Sequence, residues 1–554
     1  MFKKIFFATA LCLSVLVTTA FSGSLHYVAP DGVGVASWGA SVSEATPCSL
    51  KVACASANPG DEIILKGGIY NTPLIPLKDG TYSDRIKYKA AVGEVPLFTN
   101  TSKDYWYYSY GVYLRGRKYI TVDGIRVVPP IQRPLMITHG SSFNEIKNCR
   151  FFGPGAIQFW DGDIVGGVPV TNNWIHDNVF AKLGQVSPEC DDWGGVQLGV
   201  PSYDNHSNYN TIENNTFYSG GHHNLETFTK YNVVRNNYFH HEGSMSPPPN
   251  KTCNYGPDFN NLYGNRNISI YDGLNQDGMF NLFEGNRFGH AGPPPDDDGG
   301  DGFTIAAPKN IVRYNLIYNS QNNGVLFKTG YNSFADNNRF YNNTIFKSGR
   351  FRNSGPQWQG KNFRWYGNYA RVGNVIKNNI FYSYGLAGGD WMGGDVNIYT
   401  NNSVVNNLCT DLYQGRCSIA KDPEFVDPDV SNFSKKTLPN LNLKSTSPAI
   451  DAGLPLTTAT SDGELSKKLE VADALYFSDG SFGSILSNIK ADFIAVGTIT
   501  NFRKISYVDY DNNVLYLSQP TSWKAGDSVW LYSNSKGVKV LEKNAPDLGA
   551  CEYK

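Results

Sequence analysis

Methionine, charged side chains and long apolar runs are all scarce in this chain. Only 5 of its 554 residues are methionine and 18% are charged, whereas glycine (56), tyrosine (34) and phenylalanine (31) are abundant. This composition offers little material for amphipathic helices and favours many short strands joined by many turns. The formal net charge of −1 lacks the basic excess of a general nucleic-acid-binding protein, so we expect no nucleic-acid partner.

The first 22 residues read as a secretion signal. Lys3 and Lys4 form a charged start, residues 5–17 an apolar stretch, and Ala20-Phe21-Ser22 a small-x-small cleavage site. The apolar stretch is short for a membrane span, and no later run is long enough to cross a membrane. We predict a secreted protein, in a bacterial-type periplasm or outside the cell.

Eight cysteines remain after the signal, and an even number in an exported chain permits disulfides. Sequence spacing favours two local pairs, and a third pair would join two long loops: Cys48 with Cys54, Cys409 with Cys417, and Cys190 with Cys253. Buried free thiols are the alternative.

A recurrent phrase, roughly Asn-x-Ile/Val-x-x-Asn-x-Phe/Ile, dominates the middle of the chain. Four clear copies span residues 144–151, 173–180, 210–217 and 232–239. Further copies begin at Asn281, Asn310, Asn374 and Asn402, and a fragment covers residues 338–346. The copies lie about 22 to 37 residues apart, with one wider gap after Asn232, and self-similarity at that period predicts a solenoid.

Each copy fits one coil of a right-handed parallel β-helix. Short strands alternate an inward apolar residue with an outward polar one. The paired asparagines mark turns, because asparagine tolerates left-handed dihedral angles, and stacked coils can align these side chains into ladders of amide hydrogen bonds. No coil buries its apolar face alone, so neighbouring coils supply the core.

Both ends of the repeat region resemble known sequences. The phrases at residues 26–32, 47–50 and 59–70, the last reading PGDEIILKGGIY, resemble the first coil of the pectate-lyase-like β-helix superfamily. In that superfamily a strand, a short capping helix and a further strand open the solenoid. Residues 447–453 and 545–552 are similar to the closing phrases of bacterial secreted β-helix proteins. The resemblance implies an all-β fold with an N-terminal cap, a β-helix over residues 23–453 and a closing strand at 545–554.

Residues 454–544 lack the asparagine repeat. Alternating strands separated by Asp-Asn and Ala-Gly-Asp turns predict a small β-rich subdomain. The sequence leaves two arrangements open, an inserted barrel or sandwich and a set of hairpins that caps the end of the helix.

The first candidate site is the phrase GGHHNLETFTK at residues 220–230. It lies on a strand just before the Asn232 repeat, so alternate residues share a face. With Leu225 in the core, three polar side chains turn toward solvent: His222, Asn224 and Glu226. The other register exposes His223. Imidazole and carboxylate on one face can abstract a proton or bind a metal, although an ordinary polar surface has the same composition.

Cations and further imidazoles lie near this strand in the sequence. Lys230 and Arg235 are expected to neutralise a uronate carboxylate, and Lys328 to face the same groove a few coils on. His240 and His241 add a second imidazole cluster, expected to contact substrate.

A proline-stiffened acidic loop is the second candidate site. It offers four carboxylates: Asp296, Asp297, Asp298 and Asp301. Hard oxygen ligands of this kind suit Ca²⁺, although the spacing differs from that of an EF-hand loop. A solvated acidic loop without metal is the alternative.

The third candidate is Asp191-Asp192-Trp193, expected to contact substrate. This pair, followed by Gly221-His-His, resembles the polygalacturonase-like hydrolases, in which paired aspartates and a Gly-His-Gly phrase flank the cleaved bond. The Asn-Thr-Asp and Arg-Ile-Lys phrases of those enzymes are missing here. The resemblance therefore supplies a rival activity, inverting hydrolysis.

The leading hypothesis is an extracellular lyase that cleaves an acidic, uronate-containing polysaccharide by β-elimination. A base removes the C5 proton while cations stabilise the developing charge. Lys230, Arg235 and Lys328 would supply base or charge, with His222 or His223 assisting. The lyases of the resembled superfamily commonly pair such a base with calcium, which the acidic loop would hold. The alternative to an enzyme is a glycan-binding protein without catalytic activity. We expect the protein to be a monomer.

Overall fold

The structure is a computed structural model, and it describes residues 23–31, 33–99, 109–153, 157–160, 167–183, 195–199, 207–218, 220, 223–240, 266–271, 279–291, 300–329, 334–349, 361–366, 372–382, 392–393, 402–410, 417–429 and 438–554. Within these residues no helix is long and apolar enough to cross a membrane. The predicted secretion signal lies outside them.

Three parallel sheets run side by side along the repeat region, two of 13 strands and one of 10 in the part that the structure describes. The first sheet consists of Leu25–Val28, Glu62–Leu65, Ile86–Ala90, Ile120–Asp123, Glu145–Lys147, Trp174–His176, Thr211–Glu213, Val233–Arg235, Leu282–Glu284, Ile311–Arg313, Arg339–Tyr341, Val375–Lys377 and Ser403–Val405. The second consists of Gly68–Tyr70, Pro96–Phe98, Arg126–Val127, Arg150–Phe152, Val179–Ala181, Thr216–Tyr218, Tyr238–His240, Arg287–Gly289, Leu316–Tyr318, Thr344–Phe346, Ile380–Tyr382, Leu408–Cys409 and Ile419–Ala420. The third consists of Tyr110–Arg115, Arg133–Thr138, Ile157–Trp160, Val196–Leu198, His223–Thr227, Arg266–Tyr271, Phe303–Ala306, Val325–Lys328, Phe363–Tyr366 and Met392–Gly393.

The predicted right-handed parallel β-helix is therefore confirmed, with one strand of each sheet in a typical coil. Its core is built from the apolar residues of the repeat, which stack in register from coil to coil. The rings of Phe151 and Phe180 lie 5.4 Å apart, and those of Phe217 and Phe239 lie 4.5 Å apart. Each coil thus covers the apolar side chains of the next, as a solenoid requires.

The two asparagines of each pair have different structural roles, one in the turn and one in the amide ladder. In the pair Asn214-Asn215 the first residue has φ 56°, the left-handed conformation that turns the chain. The second is 1% exposed, and its amide donates to Asn237 at 3.1 Å, one coil further along. The amide of Asn237 donates in turn to Asn286 at 3.0 Å. The predicted amide ladder therefore forms inside the solenoid and satisfies polar groups that water cannot reach.

The N-terminal coil is closed by the 3₁₀ helix Gly39–Val42 and the α-helix Leu50–Ser56, whose first turn is capped by the Ser49 side chain. Cys48 and Cys54 are buried free thiols in this cap, so the predicted local disulfide is wrong. Both side chains belong to the apolar core that the helix closes. The disulfide between Cys409 and Cys417 is present, whereas residues 190 and 253 lie outside the described part of the chain.

The last part of the chain is antiparallel. Phe425–Asp427 pairs with Asn440–Leu443, and a six-stranded sheet contains Thr457–Thr458, Gly463–Glu470, Phe493–Val496, Thr498–Asp509, Val514–Trp523 and Ser528–Ser533. This second sheet forms the predicted β-rich subdomain. Residues 545–554, all described, contain no strand, so the expected closing strand is wrong; the backbone of Gly549 instead donates to the carbonyl of Asn378 at 2.9 Å.

The subdomain packs on the side of the first sheet, which rules out the arrangement in which it caps the end of the helix. Its core includes apolar residues of that sheet, among them Val233, Leu282 and Ile311. A buried ion pair crosses the same interface, where Arg313 contacts Asp492 at 2.7 Å. The outer side of the first sheet is thus covered by the subdomain in this region.

Candidate functional site

A cluster of polar side chains lies on the third sheet, at the strands His223–Thr227, Arg266–Tyr271 and Phe303–Ala306. The register pairs Leu225 with Ile268, and both side chains are in the core. The next row along the strands is polar, since Glu226 pairs with Ser269 and Ser269 with Thr304. Because successive residues of a strand point to opposite faces, this polar row is on the outer side of the sheet.

His223 and Glu226 contact each other within this cluster. The imidazole Nδ1 lies 3.5 Å from Glu226 Oε1. Strict alternation predicted opposite faces for these residues and placed Asn224 beside Glu226, and that prediction is wrong. Asn224 instead bonds Asn267 and the backbone N–H of Gly220, at the corner where the chain enters the third sheet. The corner interrupts the alternation and brings His223 to the side of Glu226.

Burial makes Glu226 a weak acid. Loss of hydration raises the pKa of its carboxyl to about 7, which the hydrogen bond from Gln197 and the charge of Arg266 only partly oppose. Gln197 Nε2 donates to Glu226 Oε2 at 2.9 Å, and Gln158 donates to Gln197 at 2.9 Å. At neutral pH this carboxyl is therefore close to half protonated, which suits an exchange of protons with a ligand.

Arg266 joins the other members of the cluster. Its Nη1 lies 3.3 Å from His223 Nε2 and donates to Tyr271 Oη at 3.0 Å. A guanidinium has only donors, so Nε2 of His223 acts as the acceptor and the neutral imidazole carries its proton on Nδ1. That proton faces Glu226. The arrangement thus fixes one tautomer of His223.

Tyr271 closes the cluster on the side of the third sheet away from the corner. Its ring stacks on Phe228 at 5.6 Å and lies edge-on to His223 at 5.9 Å. Burial raises the pKa of its hydroxyl, and the charge of Arg266 opposes that shift. Tyr271 therefore keeps its proton at neutral pH.

Asp301 belongs to the same cluster but is surrounded by hydrogen-bond donors. Its Oδ1 accepts from the backbone N–H of Asn323 at 3.0 Å and from its amide at 2.8 Å, and its Oδ2 lies 3.5 Å from Arg266 Nε. A carboxylate engaged in this way does not fit a calcium ligand. Among the described residues no group of three or more His, Cys, Asp or Glu side chains is arranged to hold a metal ion.

Arg235 is far from the position that the sequence predicted. It ends a strand of the first sheet, where it contacts Glu213 and donates to the carbonyl of Ser535 in the C-terminal subdomain at 2.9 Å. The guanidinium is buried in that interface, since Arg235 is only 4% exposed. Its charge therefore serves the docking of the subdomain, not the cluster on the third sheet.

The remaining predicted cations and imidazoles are placed around the cluster. Lys230 lies in the turn after the third sheet, where its charge acts on Tyr209. Lys328 is on the third sheet, beside Tyr366 in the neighbouring strand. His240 ends a strand of the second sheet and stacks on Tyr238 at 4.3 Å. Other predicted site residues lie outside the described part of the chain, namely Asp191, Asp192, Trp193, His222, His241, Asp296, Asp297 and Asp298.

The sequence analysis missed Arg266 and Tyr271. Both belong to the phrase Arg-Asn-Ile-Ser-Ile-Tyr at residues 266–271, in the wide gap after the Asn232 repeat. Alternation of Ile268 and Ile270 with polar residues was the available signal, because it identifies a strand with one face in the core. The strand lacks the asparagine phrase by which the other coils were recognised.

Among the comparisons with known proteins, only solved structures match this chain. No protein-family model matches the chain, and no curated protein matches it. It is similar to the solved structure of pectate lyase Pel9A, with 16% identity, 78% of this chain and 92% of that chain covered, and a TM-score of 0.46. Other similar structures are the PL6 family polysaccharide lyase Pedsa3628 from Pseudopedobacter saltans (16% identity, 70% and 92% covered, TM-score 0.40) and XylC in complex with xylose (12%, 96% and 98%, 0.44).

Proposed function

We propose that this chain is a lyase that cleaves a uronate-containing polysaccharide by β-elimination on the outer side of the third sheet. One observation carries the proposal: the buried carboxyl of Glu226, whose pKa is raised to about 7, lies 3.5 Å from the imidazole of His223, and Arg266 contacts that imidazole at 3.3 Å. β-Elimination needs a base for the C5 proton, a cation for the enolate-like carboxylate and an acid for the leaving oxygen. The cluster offers all three kinds of group.

Each member of the cluster has a role that its surroundings support. Ionised Glu226 takes the C5 proton, while the amide of Gln197, which donates to its Oε2 at 2.9 Å, holds the carboxylate in place. The charge of Arg266 stabilises the negative charge that develops on the uronate carboxylate. Tyr271 gives its proton to the glycosidic oxygen as the C4–O bond breaks and the C4–C5 double bond forms. The proton on Glu226 then returns to solvent and Tyr271 is reprotonated.

A row of polar side chains crosses the third sheet at Glu226. Gln158, Gln197, Glu226 and Ser269 form one outward row across four neighbouring strands, and Thr304 continues it. The row is buried, with 0% of Ser269 and of Thr304 exposed, and its amides hold the carboxyl of Glu226 in place. Glu226 keeps 8% of its surface exposed and Tyr271 is half-buried, so a ligand would reach the cluster at these two side chains.

The proposal includes secretion of the protein and supporting roles for calcium and for Lys328. Asp296, Asp297 and Asp298 would hold a Ca²⁺, whose positive charge would assist in neutralising the uronate. Lys328 would contact substrate further along the third sheet.

The proposal is tested by incubating the purified protein with pectins, alginates and glycosaminoglycans, with and without a chelator. We expect new ultraviolet absorbance from an unsaturated uronate with at least one polymer, and loss of that activity in Glu226→Gln. The matched control is Glu145→Gln, because Glu145 and His176 form a similar pair at 3.2 Å on the first sheet.

Three results would contradict the proposal. New reducing ends without absorbance would replace β-elimination by hydrolysis, the rival activity for which Asp191 and Asp192 are the candidate carboxylates. Full activity in Glu226→Gln would move the site elsewhere. If no polymer gives a product, the remaining hypothesis is a glycan-binding protein without catalytic activity.

A further inference from the structure

Two aromatic pairs lie on the outer surface of the C-terminal subdomain. The rings of Phe502 and Tyr532 stack at 4.3 Å with an angle of 3° between their planes. Tyr507 and Tyr516 pair across neighbouring strands at 5.8 Å. Phe502 is 39% exposed and Tyr507 is 55% exposed, so both pairs present ring surface to solvent.

The strand Thr498–Asp509 explains why both pairs face outward. Ile505 and Val508 enter the core that packs against the first sheet, so Phe502 points away from it. A bulge between Ile505 and Tyr507 adds one residue and turns Tyr507 to the outer side as well. Ala495 pairs with Phe502 and is fully buried, because the small side chain lets the neighbouring rings close over it.

A cation lies between the two pairs. Lys504 is exposed on the same strand and has no ion-pair partner in the part of the chain that the structure describes. The lysines around it differ, since Lys539 contacts Glu542 at 3.0 Å and Lys468 contacts Glu470 at 2.7 Å. The charge of Lys504 is thus available to an anionic ligand.

We propose that Phe502, Tyr507 and Lys504 form a non-catalytic binding surface for a uronate-containing polysaccharide. The identity of this ligand rests on the proposed function, whereas the need for a sugar with an acidic group rests on the surface itself. Aromatic rings bury the apolar C–H face of a sugar ring, and Lys504 pairs with a carboxylate. At about 3.3 Å per residue the two rings are about 17 Å apart along the strand, the reach of a short oligosaccharide.

A protein partner fits this surface less well. Protein interfaces have an apolar centre and place their charges at the rim. Here the charge of Lys504 stands at the centre, between two separate aromatic pairs. An extended, repeating polymer that alternates apolar ring faces with carboxylates matches that order.

The test is gel retardation of the full-length chain by dissolved polymers, in a Glu226→Gln background so that nothing is cleaved. We expect polygalacturonate or alginate to retard the protein and a neutral polysaccharide to retard it less. The double variant Phe502→Ala, Tyr507→Ala should raise the dissociation constant about tenfold. Lys504→Ala should weaken binding to the acidic polymers alone. Tyr82→Ala is the control, because Tyr82 is a 74% exposed tyrosine of the solenoid.

The outcomes separate this surface from the catalytic proposal. Unchanged retardation in the double variant, with an unchanged circular dichroism spectrum, would overturn the binding surface even if the chain is a lyase. Ring-dependent retardation would support it even if no polymer is cleaved. Equal retardation by neutral and acidic polymers would refute the assigned ligand class.

Discussion

The guanidinium of Arg266 lies 3.3 Å from Nε2 of His223 and thereby determines which nitrogen of that imidazole carries the proton. The two residues are 43 positions apart in the chain and become neighbours because their strands pair in parallel. With Nε2 as acceptor, the Nδ1–H of His223 faces Glu226. Arg266, which the sequence did not identify as a candidate, thus sets the tautomer of His223 next to Glu226.

Replacing Glu226 by glutamine should make the protein more stable at alkaline pH. Its pKa of about 7 in the folded state exceeds the ordinary value of 4.5, so folding retains a proton that the unfolded chain releases. The protonated carboxyl therefore contributes about 3 kcal/mol at most to the free energy of unfolding. This contribution is fully present below pH about 4.5 and is lost as the pH rises through 7. Melting curves from pH about 5 to about 9 should show the wild-type Tm falling relative to that of Glu226→Gln.

Glu145→Gln provides a control of opposite sign. Burial raises the pKa of Glu145, but hydrogen bonds from His176 and Lys147 outweigh it and bring the pKa to about 2. Its ionised form therefore stabilises the fold above pH about 4.5, and the variant should melt below the wild type at neutral pH. Parallel melting curves for Glu226→Gln and wild type across this range would contradict the buried, weakly acidic Glu226.

Arg266→Lys should lose most of the activity while keeping the fold. An ammonium retains the charge but has no planar fork with which to contact His223, Tyr271 and Asp301 together. We expect kcat to fall about 100-fold, as when an oriented electrostatic group is lost, with a smaller change in KM. Arg150→Lys, an exposed arginine of the second sheet, should leave both constants unchanged. A loss confined to KM would instead make Arg266 a binding residue.

The two asparagines of one turn should respond differently to substitution. Asn237→Ala removes a buried amide of the ladder and leaves unpaired groups behind, at a cost of about 1–3 kcal/mol. Asn236→Gly preserves the left-handed conformation at φ 55° and should cost much less. Urea unfolding of both variants measures the difference, and equal losses would mean that the ladder adds no stability.

Removing the buried charge of Asp492 should loosen the subdomain. Asp492→Asn leaves Arg313 without one of its two carboxylate partners in a fully buried interface, the other being Glu284. Breaking such a pair costs about 3–5 kcal/mol. We expect a lower Tm and faster proteolysis after residue 453, while Asp509→Asn at the end of the strand Thr498–Asp509 should behave as wild type. An unchanged digestion pattern would show that apolar packing alone holds the interface.

The sequence by itself determined the solenoid, because its signals are local and repeated. The Asn-Asn turn and the inward Phe or Ile recur at the same positions of the repeat. This pattern predicted the coil, the amide ladder and the stacking of Phe151 on Phe180. Short spacing predicted the pair Cys409–Cys417 correctly, but it also predicted the pair Cys48–Cys54, which is absent.

Only the tertiary structure decided which polar groups meet. Arg235 and Lys230 are close to Glu226 along the chain. Arg235 nevertheless lies under the subdomain, and Lys230 lies in a turn. Arg266 contacts His223 instead, because the parallel register of the third sheet pairs residues that are one coil apart. The number of residues between His223 and Arg266 does not predict that register. In a parallel β-helix, local sequence specifies the coil, whereas stacking between coils specifies the site.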